Sequence, residues 1–285
     1  MRAVMAVLFA VVVALPAAAQ GFCGRTGAAC EIPLGSYRLA MPEGAAPPGG
    51  WPALVFYHGA GGTGARTLGN TGMVDRFTAR GWAVIAPDGL PRPNSRFGPG
   101  WSFHPDRPRQ RNEAAFTRAM LADASARFGI DRDRVVLSGF SIGGSLVWYL
   151  ACAEPDLAAA YAPVGGPFWR PHPVVEDCAG PVAMFHTHGW RDRVVPLEGR
   201  PLGGGRIYQG DVFHGLEILR AVNGCTGMRA DTFETDENWW RRGWQDCTPG
   251  SALEFVLHPG GHAVPAGWAD LALDWFEGLV VGGEG

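Results

Sequence analysis

Arg134-Val135-Val136-Leu137-Ser138-Gly139-Phe140-Ser141-Ile142-Gly143-Gly144 is the stretch on which the fold turns. The run Arg134–Ser138 is apolar and β-branched at its centre, as a buried strand requires. It leads directly into G-x-S-x-G, and Gly143–Ala153 beyond it is helix-compatible. A strand, a sharp turn and a helix around that motif lift a serine hydroxyl above the edge of a sheet. Glycines on both sides of Ser141 give the turn room, and Gly144 lets the helix lie close to the sheet. Ser141 also sits beside a helix N-terminus, where the backbone dipole favours developing negative charge.

The same alternation extends outward in both directions. Short apolar runs at Gly35–Leu39, Ala53–Tyr57, Trp82–Ala86, Ala158–Pro163, Pro181–His186 and Leu253–Leu257 read as strands. Helical spacing appears over Asn112–Phe128, Asp211–Val222 and Gly267–Leu279, while Pro91–Arg111 is loop-like. From residue 53 onward strands alternate with helices. The expected architecture is α/β, a mostly parallel sheet with helices on both faces.

A serine hydroxyl is a poor nucleophile until a base takes its proton. Where such a turn carries the serine, the acid follows in the chain and the histidine comes last. Of eight histidines, His258 and His262 lie at or beyond the last strand. His258 ends that strand; His262, in the flexible Pro259-Gly260-Gly261-His262 loop, is the preferred base. Asp192 follows strand 181–186 at its carboxyl end, where such sheets carry their sites, and is preferred as the acid over Asp177 and Glu198. A surface ion pair with Arg191 or Arg193 is its competing reading. Two donors must hold an oxyanion. The expected ones are the amide of Ile142 and, from His58-Gly59-Ala60-Gly61-Gly62-Thr63-Gly64, that of Ala60, with Gly61 next.

Composition removes other chemistries. The 24 basic residues are all arginine, so Schiff-base and phosphate-loop lysines are excluded. A net charge of -3 gives no footing for nucleic acid. His186-x-His188 near Asp192 could ligate a metal, but no C-x-x-C pair occurs and a role in shaping the acid loop is preferred. Neither a cofactor nor a metal is implied.

Met1-Arg2, the apolar run Ala3–Leu15, Pro16 and Ala17-Ala18-Ala19 have the pattern of a secretory signal peptide over 1–19. Residues 20–285 then form one catalytic domain, secreted or periplasmic, with no membrane attachment after cleavage. Disulfides persist in that compartment. Pairing the six cysteines with their neighbours in sequence gives Cys23–Cys30, Cys152–Cys178 and Cys225–Cys247.

Several segments together carry a family resemblance: Tyr57-His58-Gly59, Ala86-Pro87-Asp88-Gly89, Ile130–Val135, Gly139–Gly144, Ala160–Gly166, His188-Gly189 with Asp192 and Val195-Pro196, and Gly261-His262. The chain resembles the polyhydroxybutyrate depolymerase / feruloyl esterase-like family of secreted α/β-hydrolases from about Gly35 onward. The resemblance implies an α/β-hydrolase fold with Ser141 as nucleophile, Asp192 as acid and His262 as base. It also implies an insertion from Asn223-Gly224-Cys225, closed by a later cysteine, before the last strand. Ile142 is larger than the family's usual residue, which narrows the acyl site. No polymer-binding domain follows, which favours small or oligomeric esters over solid polyester.

Trp239 and Trp240, between Cys225 and Cys247, could wall an aryl or sugar ester or simply pack the insertion. Trp101 and Trp190 are further pocket candidates. The expected function is a serine carboxylesterase acting on hydroxyalkanoate oligomers or on feruloyl or acetyl sugar esters, the partner being an ester derived from plant polysaccharide or polyester. The competing reading is a noncatalytic secreted binder of polymer or carbohydrate on the same scaffold.

Overall fold

The computed structural model describes residues 23–24, 27–92 and 98–282. The leader expected over 1–19 lies outside them. The strands are β1 (Cys30–Ile32), β2 (Gly35–Ala40), β3 (Trp51–Tyr57), β4 (Ala83–Pro87), β5 (Ile130–Phe140), β6 (Ala160–Val164), β7 (Trp169–Arg170), β8 (Ala183–Gly189), β9 (Pro201–Leu202), β10 (Ile207–Gln209), β11 (Thr232–Thr235), β12 (Trp240–Trp244) and β13 (Ala252–His258). The α-helices are α1 (Gly64–Leu68), α2 (Thr71–Ala79), α3 (Glu113–Phe128), α4 (Ile142–Ala153), α5 (Val212–Val222) and α6 (Trp268–Gly282).

Ten strands form one sheet in the order β1-β2-β4-β3-β5-β6-β8-β13-β12-β11. The middle six, β4 to β13, run parallel. The two strands at each end are antiparallel additions. β3, β4, β6 and β8 are buried at every position, so neither face meets water; β3, β4 and β6 accordingly read as apolar runs, while β8 carries the buried His186-Thr187-His188 towards its end. Alternate residues enter two cores. Ala53, Val55, Ile85 and Met184 point to one with Phe116, Trp148 and Leu219 from α3, α4 and α5. Leu54, Phe56, Val84 and Phe185 point to the other with Phe77 and Phe276 from α2 and α6. This is the expected α/β-hydrolase architecture.

All three expected disulfides form: Cys23–Cys30, Cys152–Cys178 and Cys225–Cys247. The last closes the insertion that carries the β11–β12 hairpin before β13. Residues 64–79, given no element by the sequence, form α1 and α2. A small second sheet, β7-β10-β9, also goes beyond the sequence reading.

Candidate active site

The turn after β5 is strained in the way a raised serine needs. Ser141 has φ 59° and ψ -120°, and among the described residues it alone outside glycine has a positive φ. Its N–H donates to Val164 O at 2.9 Å, and its carbonyl accepts the Ser145 N–H at 2.9 Å as α4 begins. The motif glycines are spatial necessities here. A Cβ on Gly143 would run into the Tyr57 and His58 carbonyls, and one on Gly139 would meet Gly143 O.

β8 and β13 are parallel neighbours, so the loops leaving their carboxyl ends emerge side by side. Backbone bonds stitch the two loops together: Trp190 N–H to His258 O at 2.8 Å and Arg191 N–H to Gly260 O at 2.9 Å. This brings Asp192 and His262, seventy residues apart, to a 2.6 Å hydrogen bond from Nδ1 to Oδ2. The other carboxylate oxygen accepts the Val194 and Val195 N–H groups, each at 2.8 Å. The Asp192 side chain is 1% exposed. Burial pushes its pKa up, but the bonds from His262 and Val195 outweigh burial and leave it below the ordinary 3.8. No ion pair joins it to Arg191 or Arg193 among the described residues.

His262 reaches the nucleophile turn as well. Its ring lies 4.6 Å from the ring of Phe140, the residue before Ser141. No hydrogen bond joins the Ser141 hydroxyl to the imidazole among the described residues. With Nδ1 held by Asp192, Nε2 is the nitrogen left for exchange. His258 is placed differently: it is buried, its Nδ1 accepts the Gly260 N–H at 3.1 Å, and burial lowers its pKa.

Behind Asp192 a line of polar groups runs into the core. Trp148 Nε1–H donates to His186 Nδ1 at 3.2 Å, which makes His186 Nε2 the protonated nitrogen. His186 Nε2–H donates to His188 Nδ1 at 3.1 Å, and His188 Nε2–H to Val195 O at 2.8 Å. Every ring nitrogen is occupied, so neither histidine offers a lone pair to a metal, and the pair shapes the acid loop instead. Burial lowers both pKa values, that of His188 to about 4.

The loop after β3 closes over the turn. A Cβ on Gly59 would lie 3.4 Å from the Ser141 Cβ. The Gly61 N–H donates to Pro99 O and the Gly62 N–H to Gly59 O, each at 3.0 Å. The Ala60 N–H donates to no group among the described residues, and Ala60 is exposed. His58 anchors this loop: its Nδ1–H donates to Gly59 O at 2.7 Å and its Nε2 accepts the Gly89 N–H at 2.9 Å. Asp88 accepts the Gly64 N–H at 2.8 Å and pairs with Arg38. Arg111 and Glu113, both buried, form an ion pair at 2.8 Å, and Glu113 also accepts the Ser102 N–H. Sequence reading gave no role to His58, Asp88, Arg111 or Glu113. Only the first two had a signal, in the motifs His58-Gly59 and Pro87-Asp88-Gly89.

A cavity of about 360 Å³ borders the loop, lined by Gly59, Ala60, Thr63, Met73, Phe140 and Val264 among others. Trp101 does not line it. Trp101 is 6% exposed, donates its Nε1–H to His58 O at 2.8 Å and packs on Tyr57, so it supports the loop from below. Trp190 (57% exposed) and Trp240 meet edge to face at 6.0 Å beside the acid loop, with Trp239 half-buried next to them near His258.

The sheet, the strained serine turn and the acid and histidine loops at one sheet edge define an α/β-hydrolase. The chain belongs to the phospholipase/carboxylesterase family, whose match spans residues 50–201. It is 30% identical over 169 residues to NocK of Nocardia uniformis subsp. tsuyamanensis, assigned as an esterase, covering 58% of this chain and 47% of NocK. It is 24% identical over 252 residues to feruloyl esterase C of Emericella nidulans, covering 84% and 82% of the two chains. The chain spans 58% of the Aspergillus niger protein assigned as feruloyl esterase C, to which it is 25% identical over 192 residues. Among solved structures, the acetyl xylan esterase from Aspergillus awamori superposes with a TM-score of 0.64 at 17% identity, covering 85% of this chain and 93% of that one; this likeness bears on the fold.

Proposed function

We propose that this chain is a secreted serine carboxylesterase acting on small or oligomeric esters of carbohydrate, of the feruloyl or acetyl kind. The observation that carries the reading is a strained Ser141 on the turn whose Phe140 ring packs on His262, a histidine held by a buried Asp192. In this reading the Ser141 Oγ attacks the ester carbonyl and its proton passes to His262 Nε2. Asp192 fixes the tautomer and stabilises the imidazolium. The Ile142 and Ala60 amides hold the oxyanion, Ile142 at the start of α4 and Ala60 on the glycine loop. His262 returns the proton to the leaving alcohol, and water then cleaves the acyl-enzyme by the same path. Trp190, Trp239 and Trp240 form the rim over which a sugar or aryl ring stacks. The feruloyl and acetylxylan names of its relatives support the substrate class. The three disulfides and the leader-like first 19 residues support secretion.

The test is p-nitrophenyl acetate hydrolysis by the wild type and Ser141→Ala. Loss of kcat by about 10⁴-fold or more is expected, the scale seen when a triad nucleophile is removed. Equal rates would end the esterase reading and leave a binding protein. A panel of methyl ferulate, acetylated xylo-oligosaccharide and hydroxybutyrate oligomer then ranks substrates. The sugar esters are expected to give the higher kcat/KM.

A further inference from the structure

A second cavity lies apart from the one beside Ala60. It has about 630 Å³ and is walled by His104, Asp106, Arg107, Arg170, Arg206 and Tyr208, with two prolines. Its lining comes from three separate segments: the loop after β4, the segment after β6 and the insertion after β8. All three leave the carboxyl ends of parallel strands, the edge from which Ser141, Asp192 and His262 also project. Trp169 joins the two regions. Its Nε1–H donates to the Ser145 Oγ at 3.1 Å, one turn beyond Ser141, and its ring packs on His104 at 5.6 Å.

Three guanidinium groups around one cavity repel one another unless an anion sits among them. Here the lining sets a single carboxylate, Asp106, against the three. Among the described residues Arg107, Arg170 and Arg206 form no ion pair, and Asp106, the single carboxylate in the lining, pairs with none of them. Arg206 is braced through Nε to Gly203 O at 2.8 Å, with its terminal nitrogens left over. His104 lines the cavity too: its Nδ1 accepts the Asp106 N–H, so Nε2 carries the proton, and that nitrogen is buried without a partner among the described residues. The charge is local, because the chain as a whole is at -3. Planar forks of this kind match a carboxylate. The exposed Tyr208 ring beside them offers a stacking face, and the volume suits a sugar unit.

We propose that this cavity is a carboxylate subsite that takes an acidic sugar, a uronate, on the carbohydrate part of the ester substrate. The inference rests on the esterase reading for its substrate, and binding tests it separately. Ser141→Ala protein is titrated calorimetrically with a xylo-oligosaccharide bearing a glucuronate branch and with the unbranched oligosaccharide of equal length. Acidic oligosaccharide is expected to bind about tenfold more tightly, on the scale of one charge-assisted fork. The preference is expected to vanish in Arg170→Gln/Arg206→Gln. The same two substitutions in the active protein are expected to leave p-nitrophenyl acetate hydrolysis unchanged, which also shows that they fold. Equal binding of the two oligosaccharides, or a preference that survives both substitutions, overturns the subsite. So does inorganic phosphate displacing the acidic oligosaccharide at concentrations where free glucuronate does not. A wild type inert toward p-nitrophenyl acetate would instead remove the esterase reading, while these binding results would still stand.

Discussion

Ser141 occupies backbone space that costs a side-chain-bearing residue about 1–3 kcal/mol, at φ 59°. The sheet on one side and α4 on the other hold it there, so the strain is carried by the rest of the fold. The stability cost should therefore be recoverable. Ser141→Ala keeps a Cβ and keeps the strain; Ser141→Gly removes both. Glycine also makes the unfolded chain more flexible, which offsets part of the gain. Ser141→Gly is expected to be about 1 kcal/mol more stable than Ser141→Ala in urea unfolding, with both inactive. A glycine variant less stable than the alanine variant would mean the turn is unstrained. At this scale the sequence showed a great deal. G-x-S-x-G marked the turn on which Ser141 stands at positive φ, and chain order pointed to Asp192 and His262, which meet in a 2.6 Å hydrogen bond. It could not show that Trp101 lies beneath the loop after β3, because an aromatic in a proline-rich loop looks the same whether it faces a pocket or the core.

Elements show where sequence patterns lose their force. The buried parallel strands were readable because both of their faces are covered and most of their positions are apolar. α2 was not: Gly72 falls in its first turn, Asn70 makes no side-chain cap bond, and only Met73, Val74 and Phe77 turn inward. β11 was not either, since all four of its residues are exposed. A hairpin with so little buried surface depends on its anchor. Cys225–Cys247 closes a loop with a sequence separation of 22. Cys225→Ser/Cys247→Ser is expected to lower stability by about 2–4 kcal/mol, read as a shift of the urea midpoint. Trp240 rides on β12 and meets Trp190 at the site. The double variant should therefore raise KM for a feruloyl sugar ester while leaving p-nitrophenyl acetate turnover nearly unchanged. Equal loss on both substrates would place the hairpin's role in the core, not at the rim.

Across the whole molecule the titrating groups mostly pull in one direction. Burial is the first cause of lowered pKa at His58, His104, His172, His186, His188 and His258. Unfolded, each would bind a proton near 6.5; folded, each resists until lower pH, His188 until about 4. Between those limits the unfolded chain holds more protons than the folded one, so stability must fall as pH falls. Asp192, held below the ordinary 3.8, adds a loss of the same sign at still lower pH. Two groups oppose this: burial raises Glu113 and Glu254 above their ordinary 4.5, so their protonation favours the folded chain. Six against two decides the sign. The urea midpoint is expected to drop steadily from pH 7 to pH 4.5. His188→Gln should flatten part of that slope, because one of the buried groups that refuses a proton is gone. A midpoint unchanged or higher at pH 4.5 would mean that these histidines take up protons without unfolding, and that the line from Trp148 to Val195 is not the neutral one its hydrogen bonds require.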